Sequence, residues 1–331
     1  MKTILVTGGA GFVGGAIIRM AKARGFDCIS LSRHLSPTPI PGVRQARADI
    51  RDRKALEDAL VGVDTVFHCA ALAGIWGAKQ DYQSINIDGT EQVLTACHRR
   101  GVRHLVYTST PSVVFDRADI HGGDETLPYA RRFLCHYAKS KAEAERMVLA
   151  ANGPSLKTCA IRPHLVWGPG DPHLVPRLLE RGRSGLMRVV GDGENLVDIS
   201  YIDNVASAHL LAAENLADSG TAAGKAYFIS QGEPVRLWPW INALFARLDI
   251  APVTRSIPFG LAYGLGASLE VAWSLAGKTA EPPMTRFVAL QLAKSHYFSI
   301  DRARRDLGYQ PMVTQEEGLR RTVEWINEYN R

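Results

Sequence analysis

The chain has 331 residues, 46% of them apolar and 22% charged, a balance that supports one large core or two linked ones and excludes a disordered polymer. Its formal charge of +6 is spread without a Lys/Arg block, which argues against nucleic-acid binding and leaves acidic substrates and cofactors compatible. Five cysteines (Cys28, Cys69, Cys97, Cys135, Cys159) are odd in number and widely spaced without a CxxC pair, so a reducing cytoplasm is expected, with neither a disulfide framework nor a metal site.

The first segment, MKTILVTGGAGFVGG, turns glycine-rich at Gly8, too early for the apolar stretch of a signal peptide, and reads as a strand. Gly8, Gly11 and Gly14 form GxxGxxG between that strand and an amphipathic run. Glycine there lets backbone amides and a helix N-terminus approach a pyrophosphate, and Gly14 permits tight packing of helix on strand. Phe12 and Val13 sit inside the turn, as packing residues or as cofactor contacts.

The next strand, DCISLSRH, ends about 20 residues beyond the glycines, where a bound adenosine ribose should lie. An acidic residue at that tip would favour NAD. Ser32 and Arg33 stand there instead, and a guanidinium suits a 2′-phosphate, so NADP is expected. The alternative is a solvated Arg33 that stacks on adenine without selecting between cofactors. In ARADIRD, Asp49 is placed to meet the adenine amino group with Ile50 packing beneath, or else to serve the N-cap region of the following helix.

DTVFHCA, HLVYTS and KTCAIRP are further strand-like runs separated by helix-length segments, the signature of a parallel sheet flanked by helices. The expected fold is α/β, a Rossmann-type doubly wound parallel sheet over residues 1–169. Beyond residue 170, Pro and Gly punctuation and helical runs such as RLWPWINALFARL and QEEGLRRTVEWINEY indicate a smaller, mainly helical substrate domain, 170–331. VDISYI and AYFIS, between about 197 and 230, look like strands returning to the first sheet, which makes the boundary interleaved.

LCHYAKSKAEAER places Tyr137 four residues before Lys141, on one helix face. The spacing alone is weak. With the other segments, however, it resembles the extended short-chain dehydrogenase/reductase family almost end to end. TGGAGFVG resembles that family's cofactor loop, DTVFHCAA with Ala70 and Ala71 its fourth strand and following loop, and INIDGTEQVL its next helix, with Asn86 at a structural Asn position. VYTSTPSVVF resembles the strand carrying the catalytic hydroxyl, YAKSK the YxxxK pair, and IRPHLVWGPGD the segment that closes over the nicotinamide.

The resemblance implies that Tyr137 is the proton donor, that Lys141 lowers its pKa and binds the nicotinamide ribose, and that Thr110, in preference to Ser109, positions the carbonyl. It implies cofactor contacts from Gly8, Gly11, Phe12, Val13, Gly14, Arg33, Asp49, Ile50, Ala70, Ala71, Tyr137, Lys141 and Pro163, the last holding the backbone that orients the carboxamide. His136 and His164 adjoin these motifs and are read as ordinary hydrogen-bonded histidines.

In GDGENLVDISYIDNVA, Val197 stands before Asp198 where sugar-nucleotide enzymes usually carry an Arg, which argues against a UDP-sugar. The pattern resembles the 3β-hydroxysteroid and sterol 4-carboxylate dehydrogenase branch, and within it the bacterial enzymes of head-to-head hydrocarbon biosynthesis. The implied reaction is NADPH-dependent reduction of a 2-alkyl-3-oxoalkanoate with long alkyl chains. A hydroxysteroid or sterol dehydrogenase is the alternative, and a nucleotide-sugar epimerase ranks below both. The resemblance further implies a cytoplasmic homodimer that assembles with other enzymes of that pathway. IPFGLAYGLGASLEVAWSLAG, residues 257–277, is too glycine-rich to span a bilayer. It is expected to line an acyl tunnel, to lie at the inner membrane surface, to meet a second subunit, or to be an ordinary core helix.

Overall fold

The computed structural model describes residues 2–329. Seven strands form the central sheet: β1 (Thr3–Thr7), β2 (Asp27–Ser32), β3 (Arg44–Arg47), β4 (Thr65–His68), β5 (His104–Thr108), β6 (Lys157–Pro163) and β7 (Ala226–Ile229). Their spatial order is β7-β6-β5-β4-β1-β2-β3, and every pairing is parallel. Inner strands such as TVFH are buried along their whole length, because helices cover both faces of the sheet. One face carries Phe12–Ala23 and Ile202–Ala217, the other Gly89–Arg100 and His136–Ala150. The chain runs outward from β1 to β2 and later returns to place β4 on the opposite side. That reversal opens a crevice at the carboxyl ends of the strands.

Of the two segments expected to return to this sheet, only AYFI does so, pairing with β6 from Ala226↔Ala160 onward. Leu196–Val197 instead pairs with Val235–Arg236 and His296–Phe298 in a four-stranded sheet that also holds Ile120–Gly123. Ser200–Tyr201 pairs with Val166–Trp167. Asp198 explains the diversion. Its buried carboxylate accepts the Phe298 N–H at 2.7 Å, a bond available only beside the His296–Phe298 strand.

The outer margins of the central sheet are both occupied by polar groups. On β7, the Phe228 N–H donates to the Glu125 carboxylate at 2.8 Å, and β3 carries Arg44 and Arg47. The helices Leu174–Arg183, Leu237–Ala246, Phe259–Leu275, Arg286–Ala293, Asp301–Leu307 and Gln315–Tyr329 build the second lobe. Phe259–Leu275 is not a core helix, since only Ala262 and Gly266 are buried along it. Gly266 is there for close approach: a Cβ would stand 2.6 Å from the Thr285 carbonyl carbon, so a larger residue would push away the start of Arg286–Ala293. All five cysteines are free.

The helix His136–Ala150 is fastened to β6 by a buried ion pair. Arg162 donates to both Glu145 oxygens, from Nε at 3.0 Å and Nη2 at 2.5 Å, and the Tyr129 hydroxyl adds a third bond to Glu145 at 2.7 Å. Replacing Glu145 with Ala leaves a buried guanidinium without its counter-charge. The expected loss is about 3–5 kcal/mol in denaturant unfolding, and the paired Glu145→Leu/Arg162→Met change should recover most of it.

Candidate active site

Gly8 adopts φ +69°, and its N–H donates to the Leu31 carbonyl at 2.8 Å, which turns the chain back across the end of β1. A Cβ on Gly8 would stand 2.9 Å from the Ala70 nitrogen, and one on Gly14 would fall on the Gly8 carbonyl oxygen. The helix Phe12–Ala23 therefore begins pressed against the turn. Its cap, Gly11, offers no side-chain acceptor, so the first-turn amides remain free to meet an anion at the positive end of the helix.

These glycines floor a cleft of about 660 Å³ in which every cofactor residue expected from the sequence is brought together. Gly8, Gly11, Phe12, Val13 and Gly14 lie at its centre, Arg33, Asp49 and Ile50 at one end, and Ala70 and Ala71 along the wall. Thr110, Tyr137, Lys141 and Pro163 close the other end. A bare-backbone turn, free helix amides and a cation at the ribose end fit a dinucleotide.

Ser32 is engaged by the protein itself, its hydroxyl accepting the Ala10 N–H at 3.0 Å, while Arg33 remains exposed. Asp49 is not the helix cap. That place belongs to Asp52, which accepts the Ala55 N–H at 3.1 Å. Arg51 grips both Asp49 oxygens at 2.9 and 2.8 Å and holds the carboxyl below its ordinary pKa, fixing it as an acceptor on the cleft wall. Asn86 lies in a π-helical turn, Gln83–Asp88. Its amide accepts the Leu72 N–H at 2.7 Å and donates to Ser140 at 2.9 Å, tying the loop after β4 to the helix of Tyr137 and Lys141.

Tyr137 and Lys141 share one face of His136–Ala150 as their spacing requires. Lys141 is buried, donates from Nζ to the Thr108 carbonyl at 2.6 Å, and rests 4.1 Å above the Tyr107 ring centroid. Burial pulls its pKa down to about 7, against the opposing influence of Cys69 and Glu145. The Tyr137 phenol was expected to be lowered by Lys141. Burial instead pushes it up to about 12, with Cys135 adding to the rise and a hydrogen bond with Thr110 opposing it. Tyr137 is therefore held in its proton-donating form. Thr110 caps the short 3₁₀ turn Pro111–Val113 by accepting the Ser112 N–H at 3.2 Å, which fixes its hydroxyl beside the phenol.

His164 is buried, bonded through Nδ1 to the Asp198 carbonyl at 2.7 Å, and pulled down to about 3 by burial, so it stays neutral. His136 is exposed. Two wall features escaped the sequence reading. One is the Thr108 carbonyl, a backbone group that no side-chain motif reveals. The other is the segment Asp171–His173, where Asp171 accepts the His173, Leu174 and Val175 N–H groups. An Asp just before an apolar helical run was the available signal.

The profile of the 3-beta hydroxysteroid dehydrogenase/isomerase family matches residues 5–259, taking in the glycine turn and the Tyr137–Lys141 helix. The chain belongs to this family. Among relatives of the 3-beta hydroxysteroid dehydrogenase/isomerase family, the chain is 49% identical to the 2-alkyl-3-oxoalkanoate reductase of Stenotrophomonas maltophilia, covering 96% of this chain and 97% of that one. It is 47% identical to the 2-alkyl-3-oxoalkanoate reductase of Shewanella oneidensis, covering 96% and 84%. The solved structure of MoeE5 in complex with UDP-glucose and NAD superposes with a TM-score of 0.76 at 25% identity, over 99% of this chain and 100% of that one. The extended short-chain dehydrogenase/reductase architecture thus runs the length of the chain.

Gly14→Ala should shift the helix N-terminus away from the turn. Dinucleotide affinity, followed by quenching of intrinsic tryptophan fluorescence, is expected to fall by about tenfold or more.

Proposed function

We propose that the protein reduces the 3-keto group of a 2-alkyl-3-oxoalkanoate to the 2-alkyl-3-hydroxyalkanoate, using NADPH. The observation that carries the reading is the meeting of Thr110, Tyr137 and Lys141 at the end of the glycine-floored cleft, in a chain nearly half identical to two reductases of that name. When bound, a reduced nicotinamide dinucleotide supplies the hydride for carbonyl reduction. The amides of Gly11–Gly14 would hold its pyrophosphate, and Lys141 its nicotinamide ribose.

The protein supplies the proton and the alignment. Thr110 donates a hydrogen bond that sets the carbonyl oxygen beside the Tyr137 hydroxyl. As negative charge grows on that oxygen, Tyr137 gives up its proton to it, and the Lys141 ammonium stabilises the phenolate left behind. Thr108 holds that ammonium in place through its carbonyl. Arg33, with no carboxylate at the tip of β2, supports NADPH over NADH.

The test is to follow NADP reduction by the purified protein with a long-chain 2-alkyl-3-hydroxy acid, beside a 3β-hydroxysterol and a UDP-sugar, and to repeat each assay with NAD. Turnover of the hydroxy acid, faster with NADP and reduced about 10²–10⁴-fold by Tyr137→Phe, is expected. Turnover of the sterol alone would move the substrate assignment and leave the site roles intact.

The pH dependence has a definite sign. Lys141 is charged below about 7 and neutral above it, while Tyr137 at about 12 stays protonated throughout. kcat/KM for carbonyl reduction should therefore fall about tenfold per unit as pH rises above the Lys141 value. A profile flat between about pH 6 and 9 contradicts this.

A further inference from the structure

Thr7, His68 and Thr90 lie outside the cleft lining, buried behind its wall and joined in one chain of hydrogen bonds. Thr7 Oγ1 accepts the Ala70 N–H at 3.2 Å and stands 2.7 Å from His68 Nδ1. On the other side of the ring, His68 Nε2 is 3.0 Å from Thr90 Oγ1, which donates to the Asn86 carbonyl at 2.6 Å. Both ends of the chain reach the site. Ala70 belongs to the cleft wall, while the Asn86 amide holds Leu72 and Ser140, and the Ser140 hydroxyl donates to the Tyr137 carbonyl at 2.9 Å.

The direction of the chain is fixed from its Asn86 end. A carbonyl only accepts, so the Thr90 hydroxyl uses its single hydrogen there and can only accept from the ring. His68 must therefore carry a hydrogen on Nε2. The ring is neutral, because burial, reinforced by the Lys141 charge, pulls its pKa down to about 3. Nδ1 is then a bare acceptor, and the Thr7 O–H donates to it while Thr7 Oγ1 takes the Ala70 N–H. Every donor in the chain meets an acceptor in this one arrangement. The opposite tautomer would set an unprotonated Nε2 against the Thr90 oxygen, whose hydrogen is already committed, and leave the pair without a bond in a place that water does not reach.

We infer that His68 is a positioning residue: held as the Nε2–H tautomer, it ties the end of β1, from which the glycine turn departs, to the Asn86 turn and so to the helix of Tyr137 and Lys141. The floor of the cleft and its catalytic end are then aligned through one ring. Gly8 follows Thr7 directly and leaves no room for a Cβ beside the Ala70 nitrogen, so a change in the Thr7–His68 contact alters the wall that a dinucleotide meets. Thr90, in the helix Gly89–Arg100, is the far end of the chain. Its loss should be felt at the dinucleotide without any contact between them. The inference rests on the cleft as a dinucleotide site and is independent of the substrate reading.

The test has two independent parts. Two-bond proton–nitrogen correlation spectra of the isotope-labelled full-length protein, with the His68 signals identified by their loss in His68→Gln, should show Nε2 protonated and Nδ1 bare. Dinucleotide affinity is then measured by tryptophan quenching for Thr7→Val, Thr90→Val and the double variant, with folding checked by circular dichroism. Each single change should weaken NADP binding about tenfold, and Thr7→Ser and Thr90→Ser, which keep the hydroxyl, should restore it. Because the chain acts as a unit, the double variant should also lose about tenfold; two separate structural defects would together lose about a hundredfold. A protonated Nδ1, a Thr90→Val protein that binds NADP like the parent, serine variants as weak as the valine ones, or losses that add would each overturn the inference.

Discussion

The buried Glu145–Arg162 pair sets where the helix of Tyr137 and Lys141 stands on the sheet. Glu145 lies one turn beyond Lys141 and two beyond Tyr137, while Arg162 immediately precedes Pro163 on the cleft wall. The pair therefore fixes the register between the proton donor and the floor on which a cofactor would lie. An ion pair in so dry a place contributes less to stability than its attraction suggests, since both groups forfeit water. Its bidentate geometry and the added Tyr129 bond make any other register unfavourable, because a shift of one residue would strand both charges.

Burial also divides the chemistry between the two neighbours on that helix. It raises the phenol and lowers the ammonium, so one side chain keeps its proton across the physiological range while the other titrates within it. Tyr137 and Lys141 are four residues apart in a sequence where both are ordinary, and only the environment makes them different. The π-helical turn around Asn86 belongs to the same arrangement, since its amide fixes the loop after β4 against Ser140, between the two.

Much of this was legible in the sequence because the features concerned are local. The β1 run, the glycine spacing and the following amphipathic helix lie within about two dozen contiguous residues, and each constrains the next. Tyr137 and Lys141 needed only a helix period. The parts that were not legible depend on contacts distant in sequence. VDISYI reads as one strand, yet it is divided between two small sheets, and a bond between Asp198 and Phe298, a hundred positions on, holds its first part beside His296–Phe298. The direction of the Tyr137 shift depends on how deeply the phenol is enclosed, which side-chain spacing does not encode. The Thr108 carbonyl that anchors Lys141 carries no side-chain signature at all. For residues 257–277 the composition was clear and the use was not, because an apolar helix reads alike whether it faces a core or the solvent.

The margins of the central sheet bear on how copies of this chain can associate. Glu125 takes the Phe228 N–H on one edge, and Arg44 and Arg47 line the other. An incoming strand would have to displace a carboxylate from its backbone donor at β7, or accept two guanidinium groups along β3. Continuation of the sheet from one molecule into the next is thereby opposed at both ends. Self-association is left to helical and loop surfaces, and the fold is guarded against runaway polymerisation by the same two margins.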